Sequence, residues 1–192
     1  KRPTTAPATS QSSRFIASTS RAPSSASKLM YAVSISAAKE RILLSNSYFL
    51  PDSETAKLLT DAAHRGVDVR VLVPGKVNDV PATKAGGRSS FGVLLEGGVK
   101  IFEYQPTMFH PKTMVVDGLF STVGSTNFDN RSFRLNDEIN LTILDAAVGR
   151  QMEAFFQDDL KRARPYTQRD YLSRSLKDRV FEWAVLPFRS EL

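Results

Sequence analysis

The order of strands and helices along the chain constrains its fold most. Up to Tyr104, strand-like apolar runs alternate with helical stretches; beyond Lys112, strands follow one another directly. Arg41–Phe49 (RILLSNSYF) predicts a buried strand ended by Pro51. Asp52 or Ser53 then caps a helix with Ala56, Leu58, Leu59, Ala62 and Ala63 on its inner side, and Gly66 supplies the C′ position. Val67–Val73 alternates apolar and polar residues, a strand signature, and Pro74-Gly75 turns the chain. A helix around Phe91, Val93, Leu94 and Leu95 occupies residues 83–97, stopped by Gly97-Gly98, before a strand over Val99–Tyr104. Lys112–Val116 and Phe120–Gly124 are further strands divided by Asp117-Gly118, a hairpin-type turn signal. Glu138–Leu144 is another. Asp145 caps a helix from Ala146 to Arg162, and a last helical stretch runs from Tyr166 to Trp183. The fold class is α/β: a mixed β-sheet flanked by helices, with no internal repeat.

Before this pattern, residues 1–27 are rich in Ser, Thr, Ala and Pro and read as a linker or extended lead-in, since such a segment buries too little surface to offset its ordering entropy. Phe15-Ile16-Ala17 is the one candidate for a short edge strand there. Leu29, Tyr31, Val33, Ile35 and Ala38 then predict a helix capped by Ser25 or Ser27. The expected division is a lead-in over 1–27, a catalytic domain over 28–165 and a helical extension over 166–192. The chain begins at Lys1 rather than methionine, so a processed protein or a piece of a longer one is expected. Its 192 residues hold no cysteine, which excludes disulfides, thiolate metal sites and a cysteine nucleophile. A net charge of +6 favours anionic partners: nucleic acid, phospholipid headgroups or phosphate esters. No apolar run reaches the length that spans a bilayer.

The chemistry concentrates in one stretch. His110 and Lys112 are two residues apart, so on a strand they point to one face. The turn at Asp117-Gly118 folds the chain back and returns Ser125 and Asn127 near that face. An imidazole, an ammonium, a carboxamide and a hydroxyl suit a phosphate diester: a nucleophile or acid beside donors that neutralise the non-bridging oxygens. Glu138, on the next strand, is placed to accept the Nδ1 proton of His110 and so to fix its tautomer.

The spacing His110-x-Lys112-x4-Asp117-x6-Gly124-Ser125-x-Asn127 resembles the signature of the phospholipase D superfamily at every fixed position. The segments 46–52, 62–75, 97–104 and 123–145 further resemble the C-terminal half of bacterial cardiolipin synthases, across about two thirds of the chain. The resemblance implies two such motifs paired across a pseudo-twofold axis, one half of the usual two-lobed enzyme being present here. One histidine attacks phosphorus and becomes phosphatidylated; the other protonates the leaving alcohol and then deprotonates the incoming one. Phospholipid, phosphatidylglycerol in particular, is the implied substrate, with no metal, no cofactor and, in the leading reading, no nucleic acid. His110, Lys112 and Asn127 take the contact roles with Ser125 in support, and Glu138 orients. Asp117 belongs to the implied catalytic set, although a turn anchor is the better reading of it. Arg131 and Arg134 either reach a phosphate or pair with Asp129, Asp137 or Glu138. The implied place of action is a bacterial cytoplasmic membrane, reached peripherally or through a region outside this chain.

The departure is that only one motif is present. His64, the other histidine, has no lysine two residues on and sits at a predicted helix end, where interaction with the last carbonyls explains it. The second half-site is expected from a missing N-terminal region, or else from a homodimer partner as in single-motif nucleases of the superfamily. A nuclease or phosphodiesterase and an inactive isolated half remain the competing functions. Gly86-Gly87 reads as a flexible loop near the site mouth. The apolar stretch over 180–188 packs on the domain or the missing half, with a membrane surface as the alternative.

Overall fold

A computed structural model describes residues 12–18, 26–77 and 81–185. Its centre is one eight-stranded mixed sheet. The strands are β1 (Ser12–Ser18), β2 (Arg41–Asn46), β3 (Asp68–Pro74), β4 (Lys100–Tyr104), β5 (Lys112–Val116), β6 (Phe120–Gly124), β7 (Glu138–Leu144) and β8 (Ala163–Tyr166). Their order is β1-β7-β6-β5-β2-β3-β4-β8. Only β2-β3 and β3-β4 pair in parallel. Those are the connections made through helices, because a parallel crossover needs a long return segment while β5, β6 and β7 close by turns and short connections.

The helices are α1 (Ala26–Ala37), α2 (Ser53–His64), α3 (Pro81–Glu96), α4 (Asn130–Arg134), α5 (Ala146–Leu160), α6 (Gln168–Leu172) and α7 (Leu176–Val185). Residues from α1, α2 and α3, among them Tyr31, Leu59 and Leu94, cover one face of the sheet over Ile42, Leu44, Val69, Val71 and Met114. On the other face Phe156 and Met152 of α5 pack on Leu43, Leu72 and Val115. The alternation of β2 and β3 is thus buried on both sides, as a central parallel pair requires. The caps follow the sequence. Asp52 accepts from Thr55 N at 2.8 Å, and Asp145 from Ala147 N and Val148 N at 2.8 and 2.9 Å.

Several elements depart from expectation. The strand predicted over Arg41–Phe49 stops at Asn46, because the chain then leaves the sheet and Phe49 and Leu50 pair with Phe128. The single helix predicted over Tyr166–Trp183 is two helices, α6 and α7, with Tyr166 ending the edge strand β8 (Ala163–Tyr166) just before them. A capping box at Thr167 and Asp170 starts α6, and the Ser175 hydroxyl accepts from Asp178 N as the chain enters α7. Gly86-Gly87 is not a loop but lies inside α3. A Cβ at position 87 would stand 2.4 Å from the carbonyl oxygen of Phe49, so glycine lets α3 close onto the backbone beside the site. The N-terminal segment contributes β1, an edge strand paired with β7 that carries Phe15-Ile16-Ala17; the predicted cap at Ser25 lies outside the described residues.

Candidate active site

Three chain segments converge at one end of the sheet. Asn46, the last residue of β2, pairs with Lys112, the first of β5. Ser47 N donates to Pro111 O at 3.0 Å, and Asn46 Oδ1 accepts from Phe128 N at 3.1 Å. The 46–50 segment therefore clamps the His110–Lys112 segment on one side and the Ser125–Phe128 segment on the other. Behind the latter lies a buried polar network. Asn140 Nδ2 donates to Thr126 Oγ1 at 2.6 Å and to Ser27 Oγ at 3.1 Å, and Ser27 Oγ lies 2.7 Å from Ser18 Oγ. Such a network, paired through three hydroxyls and an amide, holds the loop that carries Ser125 and Asn127.

The side chains form a relay. Lys112 Nζ donates to Ser47 Oγ at 2.8 Å, and Ser47 Oγ donates to Asn127 Oδ1 at 2.9 Å. With its carbonyl oxygen used by Ser47, Asn127 keeps its NH₂ group for an acceptor such as a phosphate oxygen. His110 lies just ahead of β5, exposed, its ring edge-to-face with Tyr48 at 5.5 Å between centroids. Lys112 Nζ also stands 5.8 Å from the Tyr48 centroid. An ammonium, an amide donor and an accessible imidazole thus share one rim, which is the arrangement a phosphodiester needs. An open pocket of about 210 Å³ adjoins it, lined by Tyr48, Thr83, Asn127, Asp129, Arg131, Ser132 and Asn136.

Other expected members stand elsewhere. Asp117 ends β5 at the opposite end from Lys112, roughly 17 Å along a five-residue strand. Its carboxylate accepts from the backbone N–H groups of Lys39, Glu40 and Arg41 at 2.9, 2.9 and 2.8 Å. The carboxylate thus anchors the hairpin turn on the backbone leading into β2, a strand's length from Lys112. Glu138 is buried. It accepts from the Ser125 hydroxyl and from Asn136 Nδ2 (3.2 Å), not from His110 as expected. Ser125 in turn accepts from Ile139 N at 3.1 Å, so its hydroxyl proton is directed at Glu138 rather than offered to substrate. Arg131 borders the pocket and reaches Asn136 Oδ1 through Nε at 3.3 Å. Arg134, exposed on α4, does not line it. Asp129 caps α4 through Ser132 N at 2.7 Å; burial pushes its carboxyl up to about 6, against the pull of that N–H. His64 is the exposed last residue of α2. Among the described residues no group of three or more His, Cys, Asp or Glu side chains could hold a metal ion, and no helix is long and apolar enough to cross a membrane.

Ser47 was not singled out from the sequence. Its only signal is its place just beyond a strand that must pair with Lys112. Ser47→Ala would remove the hydroxyl that joins the Lys112 ammonium to the Asn127 carboxamide. One lost charge-assisted hydrogen bond is worth roughly 1.5–3 kcal/mol, so phosphodiester transfer should fall by roughly 10–100-fold. The same rate measured in Ser47→Thr, which keeps the hydroxyl, should be largely restored.

The fold and this site define a phospholipase D-type half-site domain. A model for the "Cardiolipin synthase, PLD-like domain" matches residues 31–160, and the chain belongs to that family. It is 37% identical over 153 residues to the probable cardiolipin synthase YwiE of Bacillus subtilis strain 168, covering 80% of this chain and 30% of that protein. The chain thus spans less than a third of the length of that relative. The phospholipase D family member Nuc from Salmonella typhimurium has the same fold, with a TM-score of 0.70 at 21% identity, covering 82% of this chain and 99% of that one. Phosphatidylserine synthase of Haemophilus influenzae Rd KW20 superposes with a TM-score of 0.73 at 14% identity over 93% of this chain and 45% of that one.

Proposed function

We propose that this chain supplies one half-site of a cardiolipin-synthase-type phosphatidyltransferase. The observation that carries the reading is the solvent-facing rim of His110, Lys112 and Asn127, with Lys112 and Asn127 locked together through Ser47. A phosphatidylglycerol phosphate would lie against the Lys112 ammonium and the Asn127 NH₂. A histidine of the second half-site attacks phosphorus, its N–P bond forming as the P–O bond to glycerol breaks. His110, protonated, gives its proton to the departing alkoxide and glycerol leaves. His110 then takes the hydroxyl proton of a second phosphatidylglycerol, whose oxygen displaces the enzyme nitrogen from phosphorus to give cardiolipin. Charge and atoms balance without an external reductant or oxidant.

One imidazole cannot be both nucleophile and acid in the same step, so a second half-site is required. We assign it to a region outside these residues, consistent with the length of the curated relatives. On the face of the sheet that carries α5, Val123, Leu141 and Phe15 stand side by side in the ladder, and Phe15 is 74% exposed, which supports a large partner there. The setting proposed is the surface of a bacterial cytoplasmic membrane. A second reading, a homodimeric phosphodiesterase, is favoured by the coverage of nearly the whole of the Nuc chain. The full-length protein given headgroup- and acyl-labelled phosphatidylglycerol separates them. The proposal expects cardiolipin plus free glycerol, and acyl label on the protein in a linkage that mild acid cleaves to release phosphatidic acid. Phosphatidic acid as the sole lipid product, or cleavage of DNA without cardiolipin, would assign the second reading.

A further inference from the structure

The last described helix carries its apolar residues on the outside. α7 buries Glu182 and Val185, while Leu176, Val180 and Trp183 are 75%, 57% and 72% exposed. Their i, i+4, i+7 spacing puts them on one stripe, and Leu172 at the end of α6, 70% exposed, adds to the exposed apolar surface. Inside, the Glu182 carboxylate takes the Arg174 guanidinium, itself only 11% exposed. A surface helix ordinarily has the reverse arrangement, apolar residues in and charges out. Lys177 and Arg179 are exposed and lie about 100° and 60° around the helix from Leu176, on opposite flanks of the stripe. The one acidic residue left on α7, Asp178, borders the cleft against α3 with Lys76, Lys84 and Arg88.

We propose that the outer stripe of α7, with Leu172, docks on an anionic phospholipid bilayer and sets the catalytic rim against it. Three observations select this occupant. The stripe is apolar with a tryptophan and is bordered by cations on both sides, the composition of an interfacial helix. A second copy of the same face would set Lys177 and Arg179 against their own kind, which disfavours self-association. The helix is also placed for it: α7 packs on α3, whose Lys84 and Arg88 border the α7 cleft while the adjacent Thr83 lines the pocket of the candidate site. The choice of lipid rests on the phosphatidyltransferase reading, but the measurement below reads binding and not turnover.

Trp183 is the chain's only tryptophan and reports directly. Its emission should shift to the blue on adding mixed phosphatidylcholine–phosphatidylglycerol vesicles. It should shift far less with phosphatidylcholine alone, and the effect should shrink as salt is raised. Leu176→Ser with Val180→Ser should weaken vesicle partitioning by roughly tenfold or more, and Lys177→Glu with Arg179→Glu should remove the preference for anionic lipid. All four positions face solvent, so melting temperatures unchanged from wild type verify that the variants fold. An emission that ignores vesicles, one that shifts with protein concentration in the absence of lipid, or partitioning unaffected by the Leu176/Val180 pair overturns the proposal. If the full-length protein shows no transfer activity on detergent-dispersed lipid while vesicle binding is intact, the functional reading fails and the docking surface stands.

Discussion

Alanine at His110 in the full-length protein is expected to lower cardiolipin formation by roughly 10²–10⁴-fold while moving the melting temperature by no more than about 2 °C. The two halves of that expectation come from the same geometry. His110 is exposed, and among the described residues its ring meets that of Tyr48 edge-to-face at 5.5 Å. Little of the fold depends on it, so its removal costs little stability. The chemistry has no substitute for it. Lys112 is hydrogen-bonded to Ser47, and Glu138, held by Ser125 and Asn136, is turned away from the rim. Lys112→Ala should behave differently, losing stability as well as rate, because its ammonium is tied to Ser47 across the sheet end. Cardiolipin synthesis in purified His110→Ala is the decisive measurement. A variant that retains more than a tenth of the wild-type rate with normal lipid product would remove His110 from the proton-transfer step.

What could be read in the chain and what could not divide along physical lines. β3 and the β5–β6 hairpin were legible because a period of two and an Asp-Gly turn are local signals. The turn has the geometry that the dipeptide favours: Asp117 and Gly118 both have positive φ, at 53° and 62°. The caps at Asp52 and Asp145 were legible for the same reason. The motif residues His110, Lys112 and Asn127 were legible as a set because their spacing is fixed by one hairpin.

Side-chain pairing was not legible. Glu138 was expected to face His110, yet the strand that carries it runs beside β6, and its carboxylate meets the Ser125 and Asn136 side chains first. Ser47 joins Lys112 to Asn127 across sequence separations of 65 and 80 residues, which no local pattern encodes. The short edge strand β8, Ala163–Tyr166, was missed because it has no alternation. Arg164 in it is fixed by Glu103 and Asp170, partners set by tertiary packing. The outward stripe on α7 was visible only as an apolar segment, and the burial of Glu182 shows which side of the helix faces the protein.

Asp117→Ala should be the most destabilising single change at the motif, lowering stability by roughly 2–4 kcal/mol. Two losses combine. Alanine is placed in a left-handed conformation that aspartate tolerates better, at φ 53°. The backbone N–H groups of Lys39, Glu40 and Arg41 lose a charged acceptor, although partial exposure lets water replace some of it. For a chain of this length the drop corresponds to roughly 5–15 °C in melting temperature. Burial alone would raise the Asp117 carboxyl, but the N–H donors, that of Arg41 foremost, outweigh it and hold it below the usual carboxylate range. Its contribution is therefore complete above the ordinary aspartate pKa and disappears as pH falls through the lowered folded value. The stability gap between wild type and Asp117→Asn, which keeps the amide oxygen and the backbone preference, should accordingly narrow in acid below about pH 4. Thermal unfolding of the three proteins across that range checks it. Catalysis supplies the control: below its melting transition Asp117→Asn should turn over near the wild-type rate, because its side chain lies a full strand away from His110. A stable Asp117→Asn protein with transfer reduced by orders of magnitude would return Asp117 to the catalytic set and refute the anchoring role.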